Sequence, residues 1–186
     1  VGAQSNTQVL LGEVTQVNPE GKQIVFNGKA YSYDYLVLAT GSGSTFFGHE
    51  DWRTFAPPMK ILEHAEEIRR RLLMAMEQAE QTPDPEARQF LQTVVIVGAG
   101  PSGCEMAGAV SELMRWAMEN AFKQLDPEKT RIVMVDPGDR VLRAMPEKLS
   151  EAAMQSLQKD GVEFLGKGRV QTMRPGEVTV GTPDGD

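Results

Sequence analysis

Residues 94–108 read VVIVGAGPSGCEMAG. A β-branched run meets three glycines, Gly98, Gly100 and Gly103, spaced G-x-G-x-x-G, and a helix-compatible stretch follows. Each glycine has its own physical reason in a strand–turn–helix unit. Gly98 permits the tight turn, Gly100 lets a pyrophosphate approach the backbone, and Gly103 lets helix and strand pack closely. Pro101 suits the first helical turn, where its missing N–H costs nothing. A pyrophosphate held over Gly98, Ala99, Gly100, Pro101, Ser102 and Gly103 would meet free N–H groups and the positive end of the helix dipole. The competing reading is a tight strand-to-helix turn with no ligand.

Outward from that turn, the sequence predicts a strand at 93–97 and a helix from about Ser102 to Leu125. RIVMVD is the next strand, and it ends on Asp136. A dinucleotide site needs an acid at that strand end, to accept from the ribose hydroxyls, usually about 20 residues after the glycines. Asp136 comes 38 positions after Gly98. The excess falls in SELMRWAMENAFKQLDPEKT, which lengthens the crossover helix and leaves both strands intact. Asp136 is therefore expected to be the ribose acid; the alternative is a cap before Pro137. An acid there repels a 2′-phosphate and favours NADH over NADPH, although Arg140 and Arg143 stand close by in sequence. Cys104, at a helix N-terminus, has a route to a lowered pKa, but a small residue is expected there for packing alone.

The flanking segments place this unit in the α/β class, with 93–97 and 131–135 paired in parallel across a helical crossover. Residues 8–40 read as strands: QVLLGEVTQV, a turn, KQIVF, the turn NGK, then AYSYDYLVLATG, whose core YLVLAT is apolar throughout, as expected of a strand buried on both faces. Ile61, Ala65, Ile68, Leu72, Leu73 and Met76 recur at helical steps over 61–80. QTPDPEA reads as a break. PEKLSEAAMQSLQKD predicts a helix ending at Gly161, and VEFLG, RVQTM and EVTV predict a β-meander. The run EEIRRR at 66–71 reads as a solvated helix face or an interdomain contact. Met74, Met76, Met114 and Met118 read as fillers of a core.

Composition narrows the function. With 26 acidic against 19 basic residues, a net charge of -7 argues against nucleic acid as a partner. A single cysteine excludes an internal disulfide framework and a C-x-x-C metal or redox pair. His49 and His64 lack metal-ligand spacing and read as surface residues. No apolar run approaches the roughly 20 residues of a membrane span. The chain opens on VGAQ without an initiator methionine and stops at TPDGD, so a fragment of a longer protein is expected.

A second anchor is YDYLVLATGS at 33–42. An apolar strand ending in A-T-G resembles the strand that returns the chain from the flavin domain to the nicotinamide domain in flavoproteins with two dinucleotide-binding domains. The linker FFGHEDWRTFAPPMKILEHAEEIRRRLL, then VVIVGAGPSGCEMAGAVSEL, the long crossover and DRVLRAMPEKLSEAAMQSL together resemble the type II (alternative) NADH dehydrogenases. The disulfide reductases of that superfamily need a C-x-x-x-x-C pair, absent here.

The resemblance implies a Rossmann-like NADH-binding domain at 51–186, truncated at its C-terminus. It implies that 1–50 is the C-terminal part of a truncated FAD-binding domain and linker. It further implies a parent that passes hydride from NADH to FAD and on to a quinone, as a respiratory-chain enzyme peripheral on the cytoplasmic face of the membrane. The family's FAD-holding G-x-G-x-x-G would precede residue 1. Thr40 and Gly41 would approach the flavin or the linker on the nicotinamide side. Glu105 would lie near the nicotinamide, or would only complement the helix dipole. No protein nucleophile is required. Alternatives are a ferredoxin or rubredoxin reductase, a non-catalytic NADH-sensing protein, and a methyltransferase, in whose fold the A-T-G strand has no place. Stripped of neighbours, YLVLAT is expected to make residues 1–45 either poorly ordered or the seat of a homodimer.

Overall fold

A computed structural model describes residues 4–183, and the chain divides into two compact units at Ser42/Gly43. In the first unit, β1 (Val14–Asn18), β2 (Gln23–Phe26) and β3 (Lys29–Ser32) form an antiparallel sheet in the order β1-β2-β3. Asn27 and Gly28, at φ 47° and 76°, make the two-residue β2–β3 turn, the geometry whose twist matches that of the strands it joins. Asn27 also fastens the sheet end: its Oδ1 accepts from Glu13 N–H at 2.9 Å, and its own N–H donates to the Glu13 carbonyl at 3.0 Å. Phe26 and Tyr31 pack edge to face, with centroids 5.8 Å apart.

The expected strand YLVLAT does not form. Tyr35–Thr40 lies outside every sheet, with Tyr35 95% and Val37 86% exposed. An apolar segment becomes a central strand only where hydrogen-bonding partners flank it, and no described strand pairs with this one. No described residue of the first unit is buried.

The second unit carries the core. It contains α1 (Leu62–Gln81), α2 (Pro85–Leu91), β4 (Thr93–Val97), α3 (Pro101–Asn120), β5 (Arg131–Asp136), α4 (Glu147–Lys159), β6 (Val162–Gly166), β7 (Arg169–Arg174) and β8 (Glu177–Gly181). β4, β5 and β6 form a parallel sheet in that order, with Val94, Ile132 and Val162 in one register and Ile96, Met134 and Phe164 in another. These residues share one apolar cluster with Leu72, Met76 and Ala79 of α1, Ala107, Val110, Met114, Ala117 and Met118 of α3, and Leu157 of α4. Each large side chain buried there stabilises by roughly 1.5–3 kcal/mol.

The parallel β4–β5 pairing, both strand bounds and the core methionines 76, 114 and 118 match the sequence expectation. Met74 does not, since half of it is exposed. VEFLG joins the parallel sheet as β6, while β7 and β8 form a separate antiparallel hairpin packed against β5. Alternation alone does not distinguish these two destinations for a short strand. QTPDPEA is a break followed by a helix: Asp84 caps α2 by accepting from Glu86 and Ala87 N–H, and Pro85 sits at its first position.

The charged run on α1 has a structural task. Arg71 donates to the Phe55 carbonyl at 3.0 Å and pairs with Glu67, so it ties the segment before the helix to the helix face. Arg70 and Arg71 beside Glu67 hold its carboxyl down to about 2. A depressed carboxylate contributes stability that is present above its ordinary pKa of 4.5 and is lost as pH falls towards about 2. Glu67→Gln is therefore expected to lower the melting temperature slightly at neutral pH, by less at high salt because the pair is largely solvated, with the difference shrinking as pH falls from 4.5 through about 2. Thermal melts across pH check this.

Candidate functional site

β4 and β5 end side by side, and the site is built where they end. Gly98 N–H donates to the Val135 carbonyl at 2.7 Å, which continues the ladder one step past the strand. Gly98 then turns the chain at φ 105°, a conformation that only glycine adopts without strain. A Cβ on Gly103 would collide with the carbonyl oxygen of Gly98. This glycine therefore lets the first turn of α3 close against the strand end. Gly100 differs from both. Its φ of -76° and ψ of -174° are ordinary extended backbone, and a Cβ there would meet nothing within 4 Å. Neither strain nor crowding requires glycine at 100.

Gly100 is the N-cap residue of α3, and Pro101 occupies the first turn. The N–H groups of Ser102 and Gly103 have no acceptor among the described residues, as expected of first-turn amides. Open space over Gly100 and unused donors beside it make an anion-accepting surface at the positive end of a 20-residue helix.

The structure brings Asp136 to this turn despite the long interval in sequence. Its Oδ2 accepts from Ala99 N–H at 2.8 Å, and its Oδ1 accepts from Gly138 N–H at 2.7 Å. The interval is taken up by α3, which ends at Asn120 and not near Leu125, and by the loop after it. Ala99 is held from its other side too, since its carbonyl accepts from Leu142 N–H at 2.8 Å. Leu142 adopts φ 50°, uncommon for a non-glycine residue. Loop 137–145 is thus laced to the glycine turn. Gly138 and Leu142 were not singled out from sequence; the Pro-Gly pair directly after the acid was the available signal for the first.

Cys104 is half-buried, with its thiol directed at the Ala99 carbonyl at 3.6 Å. Burial pushes the thiol above its ordinary range, opposed by a contact with the Leu142 backbone and aided by the charges of Asp136 and Glu105. Glu105 is exposed in the first turns of α3. Thr40 and Gly41 lie in the first unit, exposed, with Gly41 at φ 75°. His49 stacks on Trp52 at 4.1 Å, and the buried Nδ1 of His64 has no partner. Among the described residues no cluster fits a metal ion, and no helix is long and apolar enough to cross a membrane.

Comparison with known proteins gives the following. A family model described as pyridine nucleotide-disulphide oxidoreductase matches residues 2–186. "Type II NADH:quinone oxidoreductase Ndh" of Mycobacterium tuberculosis is 41% identical over 98% of this chain, and "Type II NADH:quinone oxidoreductase NdhA" of the same organism is 34% identical over 98%. The chain spans 40% of the length of each. A solved structure of NDH2 from Plasmodium falciparum in complex with NADH superposes with a TM-score of 0.72 over 93% of this chain and 36% of that one. At 21% identity it shows a common fold.

The geometry assigns different costs to substitutions in the turn. Gly103→Ala is expected to destabilise by about 1–3 kcal/mol through overpacking against backbone. Asp136→Ala is expected to cost about 1–3 kcal/mol, because it strips the acceptor from two backbone N–H groups. Gly100→Ala should cost less than about 1 kcal/mol. Urea denaturation of the three variants checks the order.

Proposed function

The chain belongs to the pyridine nucleotide-disulphide oxidoreductase family, and on that premise we propose that its second unit binds NADH as part of a flavin-dependent NADH:quinone oxidoreductase. The observation that carries this reading is Gly100. Neither strain nor crowding calls for glycine there, although Gly100 is the N-cap residue beside the free N–H groups of Ser102 and Gly103. A ligand approaching the helix N-terminus does need it, because its pyrophosphate must come within hydrogen-bonding distance of backbone.

The residues present fit NADH. The N–H groups of Ser102 and Gly103, with the α3 dipole, would hold the pyrophosphate. Asp136, already oriented by Ala99 and Gly138, would accept from a ribose hydroxyl with its remaining lone pairs. Glu105, exposed one turn further on, would face the nicotinamide end. Thr40 and Gly41 would border the flavin. The bound cofactors supply the redox chemistry, with hydride leaving the dinucleotide for a flavin and electrons passing to a quinone. The protein's part is placement, and no residue acts as a nucleophile. The quinone acceptor accords with the names of the type II relatives; work at a membrane surface, on its cytoplasmic side, belongs to the same proposal.

The exposed apolar segment around Val37 and Leu38 favours one further reading, association of two copies through the first unit. Light scattering of this chain against a version beginning at Gly43 is expected to show the dimer in the longer form only.

The NADH reading predicts a separation of binding from folding. The unmodified chain is expected to bind NADH in calorimetric titration. Gly100→Val is expected to abolish that binding while leaving the melting temperature within a few degrees. Unchanged NADH affinity in the variant would overturn the site.

A further inference from the structure

We propose that Ser150 is a positioning residue for the dinucleotide: through one buried peptide group it orients the Gly100 N–H toward the pyrophosphate. The proposal rests on the NADH reading above. Ser150 lies near the start of α4 and is 3% exposed. A buried hydroxyl costs free energy unless it is hydrogen-bonded. A helical serine can satisfy itself on the carbonyl four residues before it. Ser150 does not. Its Oγ donates to the Val141 carbonyl at 2.5 Å, nine positions back and outside the helix.

The other end of that same peptide group is the Leu142 N–H, which donates to the Ala99 carbonyl at 2.8 Å. One peptide plane is thus gripped from both sides, by α4 at its oxygen and by the glycine turn at its nitrogen. Val141 and Ala99 are both buried, so water has little access to the link. The Cys104 thiol approaches the Ala99 carbonyl at 3.6 Å, but it is a weaker donor than an N–H. Leu142 sits at φ 50°, a conformation that a leucine keeps only where its surroundings impose it. The bonds from Ser150 and to Ala99 are such an imposition.

The next peptide group carries the link to the site. The Ala99 carbonyl and the Gly100 N–H share one planar trans peptide and point in opposite directions. Holding the carbonyl on Leu142 therefore turns the Gly100 N–H away from the loop. That N–H has no acceptor among the described residues, and it stands beside the free N–H groups of Ser102 and Gly103. Glycine at 100 leaves the orientation of this peptide without steric control, so a hydrogen bond from outside the turn has to set it. Ser150 O–H, Leu142 N–H and Gly100 N–H form a head-to-tail series, in which each bond polarises the next. Its free end faces the ligand.

The test is amide NMR titration of the full chain, unmodified and as Ser150→Ala and Ser150→Cys, with NADH, ADP and adenosine. ADP carries the diphosphate and adenosine carries none. Loss of one hydrogen bond corresponds to a weakening of about 3- to 10-fold. Ser150→Ala is expected to weaken NADH and ADP by that factor, to leave adenosine unchanged, and to move the Gly100 amide resonance in the ligand-free chain. Ser150→Cys, close in volume and a weaker donor, is expected to fall between the two, and it decides the matter if Ser150→Ala does not fold. Equal weakening of all three probes would reduce Ser150 to a stabiliser of the loop and overturn the proposal. So would unchanged NADH and ADP affinities in a folded variant. Failure of NADH and ADP to bind the unmodified chain would sink the NADH reading, and this proposal with it; binding of both, with no difference between variants, would sink Ser150 alone.

Discussion

The carboxylate of Asp136 is the junction on which the site depends. It joins the N–H of Ala99, inside the glycine turn, to the N–H of Gly138, just past the neighbouring strand. Parallel pairing of β4 and β5 brings the two strand ends together, and the ladder runs one step further, to Gly98. Beyond that point the turn and the following loop are held by individual hydrogen bonds. Asp136 supplies two of these, and the Leu142-to-Ala99 bond supplies a third. The backbone that faces a ligand is thereby fixed before the ligand arrives, which lowers the ordering cost of binding.

The glycines divide this work unequally. Gly98 is required by its dihedral angle and Gly103 by its neighbour, so both serve the fold. Gly100 answers to neither constraint. A motif that looks like one signal in sequence thus separates into two residues that the fold requires and one that it does not. Cys104 illustrates the same separation in reverse. Its position beside the motif invites a lowered thiol pKa, and burial beside the Ala99 carbonyl raises it instead.

The sheet faces extend this asymmetry to the whole second unit. One face is sealed by α1, α3 and α4 around Met76, Met114 and Met134. On the other, Val133 and Val135 of the central strand β5 are buried, whereas Val95 is 39% and Val97 51% exposed on the edge strand β4. The first unit has antiparallel hydrogen bonding and no buried residue among those described. Its strands hold through ladder bonds and the Asn27–Gly28 turn rather than through a core of its own.

The sequence by itself determined whatever is local or periodic. β-Branched runs placed β4 and β5 to the residue, helical spacing placed α1 and α4 within two residues, and Asn27–Gly28 announced its turn, because each is decided by dihedral preference and by the period of side-chain burial. The glycine turn and Asp136 were legible for the same reason, even with the interval between them stretched, since strand ends in a parallel pair converge however long the crossover is. Tertiary structure alone decided the rest. Tyr35–Thr40 has the composition of a central strand, but a strand exists only with its hydrogen-bonding neighbours. Val162–Gly166 and Arg169–Arg174 look alike in sequence and went to different sheets, because pairing is chosen by distant partners. The commitment of both Asp136 oxygens to backbone depends on a loop closed by long-range bonds. No local pattern encodes it.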